Sequence, residues 1–526
     1  MGKETVFLTG ASGSMGGCAF NELLKQKDRF NIVLLLRPSK KNVKAFKEYV
    51  GDTKPPVGKK STTHHKGIKI VWGDLTSYED VEKCVEGSDY VLHPGALISP
   101  EADHKPRTVW AINYGGTKNI ISAIKSQPNA NSIKFVFIGS VAMYGDRLPP
   151  VHKIRVGDPI YPSVFDYYCL SKIAAERTVI ESGLRYWVSI RQTYICIPDT
   201  MALMDPIMFH QPLNQAFEMI TKFDAGLGLV KTIDAPDEFW RHIYNMGGGP
   251  SCRTDFYTYM DRVFRLIGCG SPEQVFDRDW FGLKNFHCGF FEDSHVLNEY
   301  LDYWNDTLED HYQQIKDASP WYFSLSKYVP KKVIKLGMKL SLNPLKWMKN
   351  KEKYPNRLKV FFGSYEDWKN IPDWDKPIPN KQDKGYLLDH GYEKNEDDKY
   401  SIEDLQGAAK FRGGKCLSEK NEGFYKKVKW ECAFGHKFEG SPALILMGGH
   451  WCPYCAPPDW EYGKIAKKNP FFAQVYYHNH DPKDINIYKF EDCLAETDIK
   501  ENEKSPYIID MGEYIEQVRK EPPRES

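Results

Sequence analysis

The sequence predicts an α/β fold: a doubly wound parallel sheet that carries a second lobe and a small C-terminal metal-binding domain. Three observations lead there. Apolar runs of strand length alternate with helical stretches over about the first 190 residues, the pattern of a sheet covered on both faces. A glycine-rich turn separates the first run from the first helix. A cysteine and histidine cluster stands near the C-terminus.

The first run is Val6-Phe7-Leu8. Thr9 to Gly17 follows as the turn, then a helical pattern at Phe20, Leu23 and Leu24. Further strand-like runs lie at Ile32 to Leu36, Ile68 to Trp72, Tyr90 to Leu92, Phe135 to Ile138 and Trp187 to Ile190, with a helix expected over Thr117 to Ile124. Thr53 to Gly67 reads as an inserted polar loop. Beyond about residue 200 the alternation loosens into a lobe rich in aromatic residues. Lys331 to Lys353 is a basic amphipathic stretch broken at Asn343-Pro344, Asn380 to Tyr400 a polar linker, and Phe471 to Tyr477 a strand-like run.

A chain of 526 residues exceeds one hydrophobic core. Four units are expected: 1–310, the sheet domain with its lobe; 311–400, a helical extension and linker; 401–460, the metal module; and 461–526, a tail. Lys plus Arg is 71 against 70 for Asp plus Glu, so no overall field would draw the chain onto nucleic acid. The segment from Met1 to Val6 lacks the order of a secretory signal, and Val6 stands where a myristoylation motif wants Ser or Thr. No apolar run reaches bilayer length, so a cytoplasmic protein with free thiols is expected.

Gly10, Gly13 and Gly16 have the G-x-x-G-x-x-G spacing of a Rossmann-type turn, where Ser12, Ser14 and Met15 would also face a dinucleotide pyrophosphate at the helix N-terminus. The next strand ends about 20 residues later, where the ribose is read. Arg37 stands there instead of a carboxylate. With Ser39 and Lys40 it suits a 2′-phosphate, which favours NADP(H) over NAD(H).

Tyr168 and Lys172 are four apart in a helix-forming run and share one face. An ammonium beside a phenol favours the phenolate, so that tyrosine can exchange a proton with a substrate oxygen near neutral pH. Tyr167, five residues from Lys172, would face away as a packing residue.

Tyr-x-x-x-Lys after a strand-borne serine resembles the short-chain dehydrogenase/reductase family, in particular its extended branch. Ser140-Val141-Ala142-Met143-Tyr144-Gly145 is similar to the family's serine segment, which implies that Ser140 bonds the reacting oxygen. Asn113-Tyr114-Gly115-Gly116-Thr117, Gly73-Asp74-Leu75 and His93-Pro94-Gly95-Ala96 resemble its helix start, adenine-contacting segment and pyrophosphate turn. The resemblance thus implies cofactor contacts from Asn113, Asp74, Leu75, Pro94, Gly95 and Ala96. Tyr244-Asn245-Met246-Gly247-Gly248-Gly249 resembles the segment closing the substrate lobe. Arg191 to Pro198 and Pro94-Gly95 depart from the family pattern.

The lobe carries Met201, Met204, Met208, Phe209, Trp240, Tyr244, Trp280, Phe281, Phe286, Phe290 and Phe291, without evident Arg or Lys pairs for a nucleotide diphosphate. Such density usually means core packing. If some of it lines the site, a bulky apolar small molecule is expected, as for the hydroxysteroid dehydrogenases that the branch contains. Nucleotide-sugar epimerase or dehydratase chemistry, enone reduction and a non-catalytic NAD(P)-sensing scaffold are the alternatives.

Cys432-x3-His436 and Cys452-x2-Cys455 have the spacing of a tetrahedral zinc site and resemble a zinc-ribbon or treble-clef module. Four protein ligands imply a structural Zn2+, with Cys416 or His450 as substitutes. Lysines and glutamates are mixed around it, which points to a lid or homo-oligomer contact and away from nucleic acid. Lys331 to Lys353 could lie on an anionic membrane surface, although packing against the sheet domain is the plainer expectation.

Overall fold

The computed structural model describes residues 2–52, 55, 57–199, 205–379, 384–392 and 399–499. Met201 and Met204 lie outside them. An eight-stranded sheet forms the centre, in the order β11-β8-β6-β5-β1-β2-β4-β3. Its strands are β1 (Glu4–Leu8), β2 (Phe30–Leu36), β3 (Ser61–His65), β4 (Ile68–Trp72), β5 (Tyr90–His93), β6 (Lys134–Ser140), β8 (Tyr186–Gln192) and β11 (His242–Met246). All pair in parallel except β3, which runs antiparallel to β4. The α/β expectation holds. The polar-loop expectation fails at Ser61 to His65: Thr63 is buried under the Trp72 indole, which donates to its hydroxyl at 3.1 Å, and this edge strand needs only one apolar face.

The parallel strands feed both faces. Val6 and Leu8 enter one cluster with Leu34, Leu92 and Val136, while Phe7 enters the other with Val33, Val91 and Phe135. That is why these strands read as unbroken apolar runs. Helices Ser14–Lys25, Gly116–Lys125 and Tyr167–Ile180 cover the sheet.

The lobe contains β9 (Tyr194–Cys196), β10 (Ala216–Thr221) and β12 (Arg253–Asp255) in one small sheet, and β7 (Lys153–Ile154) paired with β13 (Phe290–Phe291). Much of the aromatic richness is consumed in packing. Phe209, Phe276, Trp280 and Phe281 form one edge-to-face group, and Tyr244 stacks on Phe239 inside the main core. Met208, Phe286 and Phe290 stay half-buried.

In the C-terminal region β14 (Lys415–Cys416), β15 (Val428–Glu431) and β16 (Lys437–Gly440) form an antiparallel sheet. Its Trp430, Leu444, Ile445 and Trp451 belong to the same apolar cluster as Phe7 and Val33. The module therefore shares the core of the main sheet. Phe471 to Tyr477 is helical, not extended: Pro470–Tyr476 is capped by Asn469, begins on proline, and buries Phe471, Phe472, Val475 and Tyr476 on one helical face. The described part of the expected linker is held rather than free, since His390 bonds Asp158 at 2.8 Å and Tyr392 donates to the Leu446 carbonyl at 2.9 Å. Among the described residues, no helix is long and apolar enough to cross a membrane.

Candidate active site and metal centre

The carboxyl ends of the parallel strands bring the expected cofactor residues to one edge. Gly10 sits at φ +64°, where a side chain would be strained, and a Cβ there would lie 2.8 Å from the Gly95 Cα. A Cβ on Gly16 would meet the Gly10 carbonyl oxygen at 2.2 Å, and one on Gly95 would meet Thr9 Oγ1 at 2.7 Å. Gly95 N–H donates to that hydroxyl at 2.9 Å. The β1 turn, the helix start and the end of β5 thus meet backbone to backbone, which gives Gly95 its reason. Gly13 caps the helix Ser14–Lys25 without a side-chain bond, leaving its first N–H groups for an anion. Gly16→Ala is therefore expected to weaken dinucleotide binding by at least about tenfold, roughly 1.4 kcal/mol, read by fluorescence titration with circular dichroism showing an intact fold.

Ser12, Ser14 and Met15 lie in this turn, and Met15 is buried in the core beneath it. Arg37 is exposed just past β2. Ser39 caps the helix Lys40–Ala45 by accepting from Asn42 N–H at 3.2 Å, so its hydroxyl already has a structural task. Asp74 follows β4 and accepts from the Thr76 N–H and hydroxyl. Leu75 backs onto Gly116, and Pro94, Gly95 and Ala96 follow β5. Buried Asn113 accepts from Leu97 N–H and donates to the Leu97 carbonyl and Ser171.

Ser140 ends β6. Tyr168 lies in the first turn of the helix Tyr167–Ile180, which Asp166 caps through Cys169 N–H at 2.8 Å. Burial pushes the Tyr168 phenol above its ordinary pKa, and the neighbouring Ser140 hydroxyl works against that shift. Tyr167 packs against Trp460 and Phe490, as expected of a structural tyrosine.

Lys172 departs from expectation. Its ammonium donates to the Ile138 carbonyl at 2.7 Å, and the groups acting on the phenol are Ser140, Asp166 and Cys169. Burial lowers Lys172 to about 7, with Glu176 opposing. Tyr168 and Lys172 share the helix face, but here the lysine is spent on β6.

A buried network continues that face and was not read from the sequence. Glu176 follows Lys172 by one more turn and accepts from Arg191 Nε at 3.0 Å and Nη2 at 2.7 Å, from Ser189 at 2.7 Å, and pairs with His450 at 2.9 Å. Arg191 also donates to the Tyr144 hydroxyl at 2.8 Å and the Gly448 carbonyl at 2.6 Å. Burial would raise the Glu176 pKa, but Arg191 and then His450 overcome it and bring the carboxylate down to about 2. The spacing Tyr168, Lys172, Glu176 was the available signal. Arg191, on the following strand at the head of the Arg191 to Pro198 segment, is the partner that closes the network. His287 lies 3.2 Å from Asp166 at the mouth of the same helix.

Cys432, His436, Cys452 and Cys455 converge, with ligand atoms within 4.8 Å of one another. Cys432 Sγ stands 3.4 Å from His436 Nδ1 and 3.7 Å from Cys455 Sγ, and His436 Nδ1 stands 3.3 Å from Cys455 Sγ and 3.7 Å from Cys452 Sγ. Tetrahedral bonds of about 2.0–2.3 Å require edges close to these. Cys432 follows β15 and His436 precedes β16, while Gly435 turns between them at φ +82°. The substitutes are not used: His450 faces Glu176, and Cys416 lies on β14 outside the set. This knuckle leans on the helix Tyr167–Ile180 and its C-terminal end, where Arg177 donates to the Trp451 carbonyl at 2.7 Å and Ser441 donates to Glu181 at 2.6 Å.

Residues 6–194 match the model of the NAD dependent epimerase/dehydratase family. The glycine turn and most of the parallel strands lie within these residues. The chain is similar to a UDP-glucose 4-epimerase of Rickettsia typhi, 26% identical over 121 residues, covering 23% of this chain and 32% of that protein. It is also similar to short-chain dehydrogenase/reductase family 42E member 1 of Macaca fascicularis, 26% identical over 192 residues, covering 34% of this chain and 41% of that protein. The chain thus spans between a third and two fifths of these relatives. A solved dTDP-glucose 4,6-dehydratase of Bacillus anthracis in complex with NAD aligns at TM-score 0.46 and 16% identity over 61% of this chain and 96% of that one.

Proposed function

We propose that the protein is an NADP(H)-dependent oxidoreductase interconverting an alcohol and a ketone on a bulky, apolar, steroid-like substrate. The Ser140 hydroxyl at the end of β6 and the neighbouring Tyr168 phenol in the first turn of the next helix carry this reading. The dinucleotide supplies hydride when bound. Ser140 would hold the reacting oxygen and Tyr168 would give or take its proton. Lys172, buried on the same helix face and bonded to the Ile138 carbonyl, would have to leave that bond to reach the cofactor ribose or the phenol. Arg37 at the end of β2 takes the 2′-phosphate.

The partners of two lobe arginines, half-buried Arg253 and buried Arg278, favour an apolar substrate over a nucleotide sugar. Arg253 is held by Glu218 and Glu292, and Arg278 by the carbonyls of Asp373 and Lys376. Neither is left for a diphosphate. The similarity to UDP-glucose 4-epimerases keeps the sugar reading as the competitor. Absorbance assays with NADPH and NADH against ketosteroids, other cyclic ketones, enones and UDP-sugars decide between them. Consumption of NADPH with a ketosteroid is the expected result. Turnover of UDP-sugars alone would overturn it.

The Cys3His cluster suits a structural Zn2+, since all four positions are taken by protein. A chromogenic zinc assay is expected to find one ion per chain after treatment with a thiol-modifying reagent. Stripping the ion should lower the thermal midpoint and the activity together, because the same knuckle holds Trp451 and His450 on the catalytic helix. Metal-free protein of unchanged stability would refute this role.

A further inference from the structure

The segment from Trp321 to Leu342 has two apolar faces, and the fold uses one. In the helix Lys331–Leu342, Ile334, Met338 and Leu342 pack into the lobe cluster that also contains Val141, Ala142 and Met143 beside Ser140. Val333, Leu336 and Leu340 stand at the i, i+3, i+7 positions of the other face and are 57%, 55% and 74% exposed. The preceding turn adds Trp321 at 77% and Tyr328 at 75%, with Tyr322 and Leu325 beside them. Single exposed apolar residues are ordinary; a continuous group of this size marks an interaction surface.

Charge identifies the occupant. From Trp321 through Lys351 the sequence has eight lysines and no acidic residue. Lys327, Lys332 and Lys339 are exposed around the apolar face. Lys331 reaches the Gly268 carbonyl at 2.9 Å and Lys335 pairs with Asp277, so part of the positive charge is anchored within the fold. A second copy would bring a like-charged surface onto this one across a two-fold interface. An anionic bilayer instead offers acyl chains to the leucines, headgroups to the lysines, and an interface that suits tryptophan and tyrosine.

We propose that residues 321–342 form an in-plane anchor that seats the protein on an anionic lipid surface, the outer helix face entering the headgroup boundary and the inner face remaining packed on the lobe. It needs no spanning segment. The anchor stands independently of the redox chemistry, because its test reads binding and not turnover.

The full chain would be floated with phosphatidylcholine vesicles and with vesicles containing about 30% phosphatidylserine, at low and high salt. The expected result is partitioning at least about tenfold stronger onto the anionic vesicles, weakened by salt. It should be lost in Leu336→Glu/Leu340→Glu and reduced in Lys332→Glu/Lys339→Glu. Both pairs are on the outer face, and an unchanged thermal midpoint shows that each variant folds. No binding to anionic vesicles, or equal binding by Leu336→Glu/Leu340→Glu, overturns the anchor. So does a wild-type dimer that this variant converts to monomer with no vesicle binding, which assigns the face to self-association.

Discussion

Tyr168→Phe is expected to reduce turnover by about 10²–10⁴-fold while leaving dinucleotide affinity within a factor of about two. The ring volume is kept, so only the proton-transfer hydroxyl beside Ser140 is removed. In a substrate-free enzyme burial holds the phenol protonated. That suits carbonyl reduction, in which the phenol gives its proton, and it places the burden of forming phenolate for oxidation on a cation that must come near. Lys172 is the nearest candidate by sequence, and here its ammonium is on the Ile138 carbonyl. Single-turnover absorbance with saturating NADPH separates the two effects. Retained turnover in Tyr168→Phe would remove this residue from the reaction.

Arg191→Met is expected to destabilise the fold by about 3–5 kcal/mol, because it strands the fully buried Glu176 carboxylate beside Ser189 and His450. Replacing Glu176 as well, in Arg191→Met/Glu176→Leu, should recover much of that loss, and the double-mutant cycle isolates the pair. The pH dependence has a definite sign. In the wild type Glu176 is held down to about 2 against its ordinary value of 4.5. Its contribution is therefore complete above about pH 4.5 and is lost as pH falls from there toward 2. In Arg191→Met burial dominates and the carboxyl titrates above its ordinary value, so acidification through that range relieves the strain and narrows the gap between variant and wild type. Chemical denaturation at several pH values measures it. A gap that widens on acidification would contradict the charge argument.

Local chemistry made much of the protein legible in one dimension. Apolar runs marked the strands because both sheet faces are buried, and glycines marked the turn because three backbones meet there. Cys432, His436, Cys452 and Cys455 were readable because two short-spaced ligand pairs suit one ion. Asn343-Pro344 ended a helix, and the structure stops it at Leu342 with Asn343 left-handed at φ +45°. Other features had no local signature. The Ser61 to His65 edge strand looked polar because one of its faces meets solvent, and the Phe471 run looked extended because apolar residues at adjacent positions fit either period until Asn469 and Pro470 are weighed.

The sequence by itself determined the parallel sheet, the glycine turn, the Ser140 and Tyr168 positions and the four clustered Cys and His positions, since each rests on spacing within a few residues. Only the tertiary structure decided that Lys172 bonds Ile138, that Glu176 and Arg191 meet His450, and that the metal module shares the core of the main sheet. Those pairings join residues up to 274 positions apart. Burial and partner choice at that range are properties of the folded chain, where desolvation forces each charge to find a mate that no local pattern announces.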